Sequence, residues 1–518
     1  MNDASTPDSM LVRGRYVVAD PRRTETILAD GAVYVEKDRI LALGPYDELR
    51  RQHPLAPGIG SGEQIVLPGL INAHDHGRGL STIQMGLPDR TVELWLLSLG
   101  DLPVVDPYLS AAYAAAMAIE SGITTVLNCQ YEGDLAAYES NLAAGFRGYH
   151  ESGLRVVWAL GILDRSPVSA IYKGCLAGLP RELLERTTNF LSGRHGIAAN
   201  DYFALVHNLE VELRGEASGR ASLMLGPVSA HWCSDELLLR LLDYAETTRL
   251  GMHMHLLESA YQRQEAFKAN GESMVAHLAR LRFLGPRLSC AHCVWVTERD
   301  IDLLAQCGTS AVHNPGSNLR LGSGIAPVGA MLARGVNVAL GLDSNTLSDN
   351  GDMLQEMRLA ATLHRLPGQA ANNVDAGQWF GMATAGGARA LLLDDAIGVL
   401  APGKKADIVL LNPKRVQFPY AAPDDDPLPL LLARADARDV DSVLIDGQLV
   451  MHQRRLLTID KEAIAAELRD QVSSAVARQG KGLPSLAQAL LPYAQRFCNV
   501  DEGRLTPPFC RCNCQEEP

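Results

Sequence analysis

Two histidines one residue apart, His74 and His76, close the apolar run Ile65-Val66-Leu67-Pro68-Gly69-Leu70-Ile71-Asn72-Ala73. In an extended segment residues i and i+2 face the same way, so both imidazoles can reach one metal ion. A lone His-x-His says little, but the pattern recurs. Leu250-Gly251-Met252-His253-Met254-His255 ends another strand-like run and is followed by Glu258; Leu288-Ser289-Cys290-Ala291-His292 ends a third. Val336-Asn337-Val338-Ala339-Leu340-Gly341-Leu342-Asp343 ends a fourth. Imidazoles and carboxylates around an ion that keeps a position open for water are the setting of hydrolysis, because the ion lowers the pKa of that water toward neutrality. His253 and His255 both fit as the ligand on their strand.

Side chains this far apart in the chain need a fold that gathers strand ends. A (β/α)8 barrel does so, collecting its active site at the carboxyl ends of its parallel strands. Between residues 69 and 395 strand-like runs alternate with helix-like stretches, as parallel β/α units require. The run ending at His74 and His76 is followed by Ile123–Asn128, Leu154–Leu160, Ala221–Gly226, the runs ending at His255 and His292, Thr309–Val312 before His313, and the run ending at Asp343, which makes eight in all. Asp106 to Ser121 reads as one intervening helix, with an acidic start, an Ala-rich body and Gly122 in the C-cap position. Residues 1–68 and 396–455 each read as short strands and turns, with Lys37-Asp38 as a hairpin turn, and neither block is large enough to bury a core alone. Residues 456–518 are expected to form a helical extension ending in the cysteine-bearing tail Cys510-Arg511-Cys512-Asn513-Cys514.

Composition narrows the partners. With 47 Lys and Arg against 60 Asp and Glu, the formal charge of −13 argues against nucleic acid or an anionic membrane surface, which need a concentrated basic footprint. The amino terminus lacks a secretory pattern, and no apolar run approaches the roughly 20 residues of a membrane span. A cytoplasmic protein acting on a small molecule is expected. Ten cysteines in a chain of 518 residues do not make a disulfide scaffold, so reduced, packed thiols are expected for Cys290 and Cys293 beside His292.

The strand-end set His74/His76, His255 with Glu258, His292 and Asp343 resembles the amidohydrolase superfamily. The segment His313-Asn314-Pro315-Gly316-Ser317-Asn318-Leu319-Arg320-Leu321-Gly322-Ser323-Gly324 is similar to its chlorohydrolase and aminohydrolase branch, which holds nucleobase deaminases and s-triazine hydrolases. The resemblance runs from about residue 10 to about residue 455 with the motifs in family order. It implies that residues 1–68 and 396–455 combine into one small β-sandwich beside a barrel of residues 69–395, and that the protein is a homo-oligomer. It also implies His74, His76, His255 and Asp343 as metal ligands, since the family's His-x-x-Glu pattern selects His255 and leaves His253 behind the site. Glu258 would shuttle protons, His292 would polarise or hydrogen-bond the group under attack, and Asp343 would also orient the water. Many superfamily members bridge two metals with a carboxylated lysine on the fourth strand. That region here, Leu223 to Trp232, has no lysine, so one divalent ion is expected, zinc first, with iron or manganese as alternatives.

Loop residues should choose the substrate. Arg78 could meet an anionic group or pair with Asp75, and Trp95 could stack on a planar ring. His313, Asn314 and Asn318 are further candidates for contact. Asp343 is followed by Ser344-Asn345-Thr346 rather than a glycine-rich run common in adenosine-type members, which puts purine specificity in question. The expectation is a mononuclear aminohydrolase that deaminates or dealkylaminates a nitrogen heterocycle such as a purine, pterin or s-triazine. The alternative is hydrolysis of an amide, urea or carbamate on the same machinery. A non-catalytic assembly protein on this scaffold is disfavoured by the complete ligand set.

Overall fold

The computed structural model describes residues 8–192, 196–214, 219–365, 374–422, 425–479 and 485–498. The tail cysteines Cys510, Cys512 and Cys514 lie outside them.

Five strands precede the barrel: β1 (Ser9–Val18), β2 (Ile27–Glu36), β3 (Arg39–Pro45), β4 (Gly58–Gly60) and β5 (Ile65–Pro68). The barrel strands are β6 (Leu70–Asp75), β7 (Ile123–Gln130), β8 (Arg155–Ile162), β9 (Ala221–Pro227), β10 (Gly251–Leu256), β11 (Leu288–His292), β12 (Ser310–His313) and β13 (Val338–Leu340). After it come β14 (Ile408–Leu411), β15 (Val440–Ile445), β16 (Gln448–His452) and β17 (Arg455–Leu456).

The strands β6 to β13 pair in sequence order as eight parallel neighbours, and all eight runs expected from the sequence are present. The ring is closed between its first and last members by Leu342 N–H and Asp343 N–H, which donate to the His74 carbonyl at 3.2 and 2.9 Å. Gly341 makes that seam possible. A Cβ there would lie 2.3 Å from Asn314 Oδ1 and 2.8 Å from His74 Cβ, so no side chain fits. Outward residues such as Met252, Met254, Leu288, Cys290, Ala311 and Val338 pack under the surrounding helices. Inward residues Leu127, Val157, Ala159, Met224, Val312 and Ala339 form a separate cluster that fills the lower barrel with Ala388 and Leu391. The helix expected after β6 spans Pro107–Glu120: Asp106 caps it by accepting from Tyr108 N–H at 2.8 Å and Leu109 N–H at 3.2 Å, and Pro107 occupies the first turn where its missing N–H costs nothing.

The terminal blocks meet as expected, with β14 running antiparallel to β5. They form one continuous mixed sheet of nine strands rather than two separate layers. The sheet rolls over a shared interior of Val12, Val33, Ile40, Val66, Ile408, Leu410 and Leu444, and Ile40 N–H donates to the Lys404 carbonyl at 2.9 Å where its outer edge returns. A buried ion pair ties this roll to the barrel: Arg155 on β8 grips Asp407 with Nε at 3.1 Å and Nη2 at 3.0 Å. In the carboxyl-terminal region, helices Lys461–Gln479 and Leu486–Phe497 pack on the outside, the second against helix Val92–Ser98 through Leu94, Leu97, Leu490 and Ala494. No helix among the described residues is long and apolar enough to cross a membrane.

Candidate metal-dependent active site

Each strand end aims its side chain by a local device. On β6 the register with β7 slips between Asn72 and Asp75, so an extra residue switches the alternation. Ala73 packs with the inward cluster, yet His74, next in sequence, also faces inward with its ring against His253, His255 and His292. Asp75 then folds the turn: its Oδ1 accepts from His76 N–H at 2.7 Å and Gly77 N–H at 3.0 Å, and its Oδ2 from Asn72 at 2.5 Å. On β11 simple alternation would send His292 outward with Leu288 and Cys290. Instead His292 adopts a left-handed backbone (φ 72°), as does Asp343 (φ 55°), and both side chains turn into the mouth. Such conformations cost non-glycine residues about 1–2 kcal/mol each, and they cluster where function demands them.

Ligand atoms held about 2.0–2.1 Å from one ion in tetrahedral array lie roughly 3.3 Å from one another. Here Asp343 Oδ1 lies 3.2 Å from His74 Nε2 and 3.1 Å from His76 Nε2, and His76 Nε2 lies 3.4 Å from His255 Nε2. The four atoms fit one divalent cation. The tautomers agree, because His255 Nδ1–H donates to the Val228 carbonyl at 2.6 Å and leaves the Nε2 lone pair for the cluster. Behind it, His74 Nδ1 is 2.8 Å from His253 Nε2, and His253 Nδ1 is 2.7 Å from Ser289 Oγ. With Nδ1–H donated at each step, His253 orients His74 and stays out of the ligand set. Cys129 Sγ, 3.6 Å from the same His74 Nδ1, completes a second His/Cys group whose closest contact is a hydrogen bond rather than a ligand spacing. Burial opposes ionisation of Asp343, but the histidines hold its carboxyl well below the ordinary range. Burial pushes His74 down to about 4, so it is neutral and able to bind a metal at neutral pH. Ser317 Oγ–H donates to Asp343 Oδ2 at 2.5 Å and fixes the carboxylate plane.

Glu258 and His292 face each other over this cluster, with Glu258 Oε2 3.8 Å from His292 Nε2 and Asp343 Oδ2 3.9 Å from the same nitrogen. Both side chains are buried. Burial pushes the Glu258 carboxyl up to about 7, opposed by His292 and reinforced by the Asp343 and Glu93 carboxylates. His292 Nδ1–H donates to Asn318 Oδ1 at 2.8 Å, so its Nε2, without a hydrogen-bond partner among the described residues, points at the cluster.

A cavity of about 440 Å³ opens above these groups, walled by His76, Arg78, Trp95, Asn128, Gln130, Trp232, His255, Glu258, His292 and Asp343. It is large enough for a heterocycle with a substituent. Arg78 and Trp95, expected at the substrate, are on its wall. Asn314 and Asn318 are fully buried behind His292 and reach the cavity only through it. His313 stands elsewhere. It continues the outward parity of Ala311, and its Nε2 lies 3.2 Å from His364 Nε2, under Trp379 in the helix layer. Alternation along β12 signals that direction in the sequence. Ser289 carries no signal in the sequence, and Asp75, named there only as a partner for Arg78, instead folds the turn, as an aspartate two residues before a glycine can.

The Amidohydrolase family model matches residues 65–450, and the chain belongs to that family. A short stretch, residues 31–56, also matches the bacterial imidazolonepropionase-like composite domain. Within the family it lies in the chlorohydrolase and aminohydrolase branch, among deaminases that hydrolyse carbon–nitrogen bonds other than peptide bonds. It is 32% identical over 467 residues to a 5-methylthioadenosine/S-adenosylhomocysteine deaminase of Desulforudis audaxviator, covering 88% of this chain and 96% of the relative. To a 5'-deoxyadenosine deaminase of Methanothermobacter thermautotrophicus it is 32% identical over 459 residues, 85% of this chain and 95% of the other. The solved structure of an adenosine deaminase from Xanthomonas campestris with bound zinc superposes with a TM-score of 0.75 at 26% identity, over 90% of this chain and 98% of that one. The atrazine chlorohydrolase of Arthrobacter aurescens TC1, complexed with zinc, shares the fold with a TM-score of 0.73 at 23% identity, over 89% and 100%.

Proposed function

We propose that this protein is a mononuclear, zinc-dependent aminohydrolase that releases ammonia or an amine from an aminated nitrogen heterocycle, with 5'-substituted adenosines the first class to test. The observation that carries the reading is geometric: the buried Glu258 carboxyl and His292 face each other, 3.8 Å apart, beside the four clustered atoms of His74, His76, His255 and Asp343. A divalent ion held by His74, His76, His255 and Asp343 would supply a water of lowered pKa. With that ion bound, Glu258 in its deprotonated form would take a proton of the water and pass it to a ring nitrogen, which makes the adjacent carbon electrophilic, and the water oxygen would bond to that carbon. His292 Nε2 accepts a hydrogen bond from the attacking water, and Asn318 holds the ring that offers it. The second proton, from the hydroxyl added to that carbon, would pass through Glu258 to the exocyclic nitrogen as its bond to the carbon breaks and the amine leaves. The zinc in related structures and the absence of a lysine at the end of β9 support one zinc ion. The test is ammonia and alkylamine release from purine nucleosides, pterins and triazines. No release from any of them, together with cleavage of acyl-amides, ureas or carbamates, would transfer the assignment to amide hydrolysis.

A further inference from the structure

Arg78 follows His76 by two residues, and its guanidinium carbon lies 5.0 Å from the Trp95 ring centroid. Trp95 is itself fixed, by Nε1–H to Thr82 Oγ1 at 3.3 Å and by packing with Leu87, Val92 and Leu321. The indole stands against the guanidinium, and Arg78 lies on the wall of the cavity. Its side chain is unused: among the described residues Arg78 donates only through its backbone N–H, to Ser344 Oγ at 3.4 Å, and Nη1 is sealed from solvent without a partner. The neighbouring acids are already engaged. Asp75 accepts from His76, Gly77, Ser344 and Asn72, while Asp343 belongs to the ligand cluster and to Ser317. Glu132, also on the cavity wall, bonds to Asn141 at 2.8 Å. A cation withdrawn from water is costly unless an anion meets it, and a guanidinium fork matches a carboxylate edge to edge with two parallel hydrogen bonds.

We propose that Arg78 is the anchor for a carboxylate of the substrate, so that the enzyme acts on an aminated heterocycle carrying an anionic group on the ring or within a bond or two of it. The inference rests on the aminohydrolase reading above. The anion is placed close to the reacting ring because Arg78 stands beside the ligand His76, rather than at the far end of a long substituent. Wild-type holoenzyme, Arg78→Met and Arg78→Lys, matched for metal content and melting temperature, would be compared on paired compounds: pterin with pterin-6-carboxylate, and cytosine with 5-carboxycytosine. Turnover is read as ammonia release and binding by calorimetry. The wild type should favour at least one carboxylated member by about tenfold or more in kcat/KM or affinity, a preference lost in Arg78→Met and only partly kept in Arg78→Lys, which retains charge without the fork. A preference absent from the wild type, or surviving in Arg78→Met, overturns the proposal. If nothing releases ammonia, the aminohydrolase reading fails, and the calorimetric comparison still decides whether Arg78 holds carboxylates.

Discussion

Replacing Glu258 by glutamine keeps the volume of a buried side chain and its hydrogen-bonding reach while removing its ability to take up and release a proton. Glu258→Gln is expected to retain metal and lose turnover by at least about 100-fold, whereas His255→Ala loses the metal itself. Elemental analysis beside a turnover assay separates the two, and should find about one ion per wild-type chain; two ions in active protein would contradict the ligand spacing. The acid limb follows from the same carboxyl. Glu258 accepts a proton only when ionised, so kcat/KM should fall as pH drops through a value at or below about 7, since a bound cation can only lower it. Stability moves the opposite way in the metal-free protein. The folded carboxyl holds its proton more tightly than a free glutamate of pKa 4.5, so this group's contribution is lost as pH rises from about 4.5 through 7. A pH series of melting temperatures on apoprotein, flatter in Glu258→Gln, checks that sign.

At the scale of strands, the seam between β6 and β13 governs the cluster. Gly341→Ala would drive a methyl group into Asn314 Oδ1 and His74 Cβ, both part of the buried wall, so the seam must open. The expected result is a loss of about 1–3 kcal/mol together with weakened metal binding, measured by denaturation and by metal titration. The strands themselves were legible as apolar runs alternating with helix-like stretches, four of them ending at a chemistry-bearing residue, and the Lys37-Asp38 turn lies between β2 and β3 as read. Orientation was legible only where alternation holds. His253 and His255 share one face of β10 as expected, but which of them joins the cluster depends on tautomers set by Val228 and Ser289, contacts from other strands. His74 and His292 face inward through a register slip and a left-handed residue, neither of which apolar periodicity records. His313 shows the converse, since motif likeness suggested a substrate contact where simple parity sends the side chain outward.

For the whole molecule, the Arg155–Asp407 pair is the charged bolt between barrel and rolled sheet, and Asp407 also accepts from Asp446 N–H at 2.8 Å. Removing one partner leaves a buried charge, so Arg155→Met should cost about 3–5 kcal/mol, and the double variant Arg155→Met/Asp407→Leu less than that. Chemical denaturation of the singles and the double tests this, and a double variant as unstable as the sum of the singles would show that the two do not act as a pair. The rolled sheet also bears on how the chain is made. Roughly 340 residues separate Pro68 from its partner Ile408, so at about 5–20 residues per second the free edge of β5 waits on the order of 20–70 s on the ribosome. During that interval an apolar strand edge is open to other nascent chains, and chaperone supply during synthesis, more than the stability of the finished protein, would set the yield of soluble enzyme.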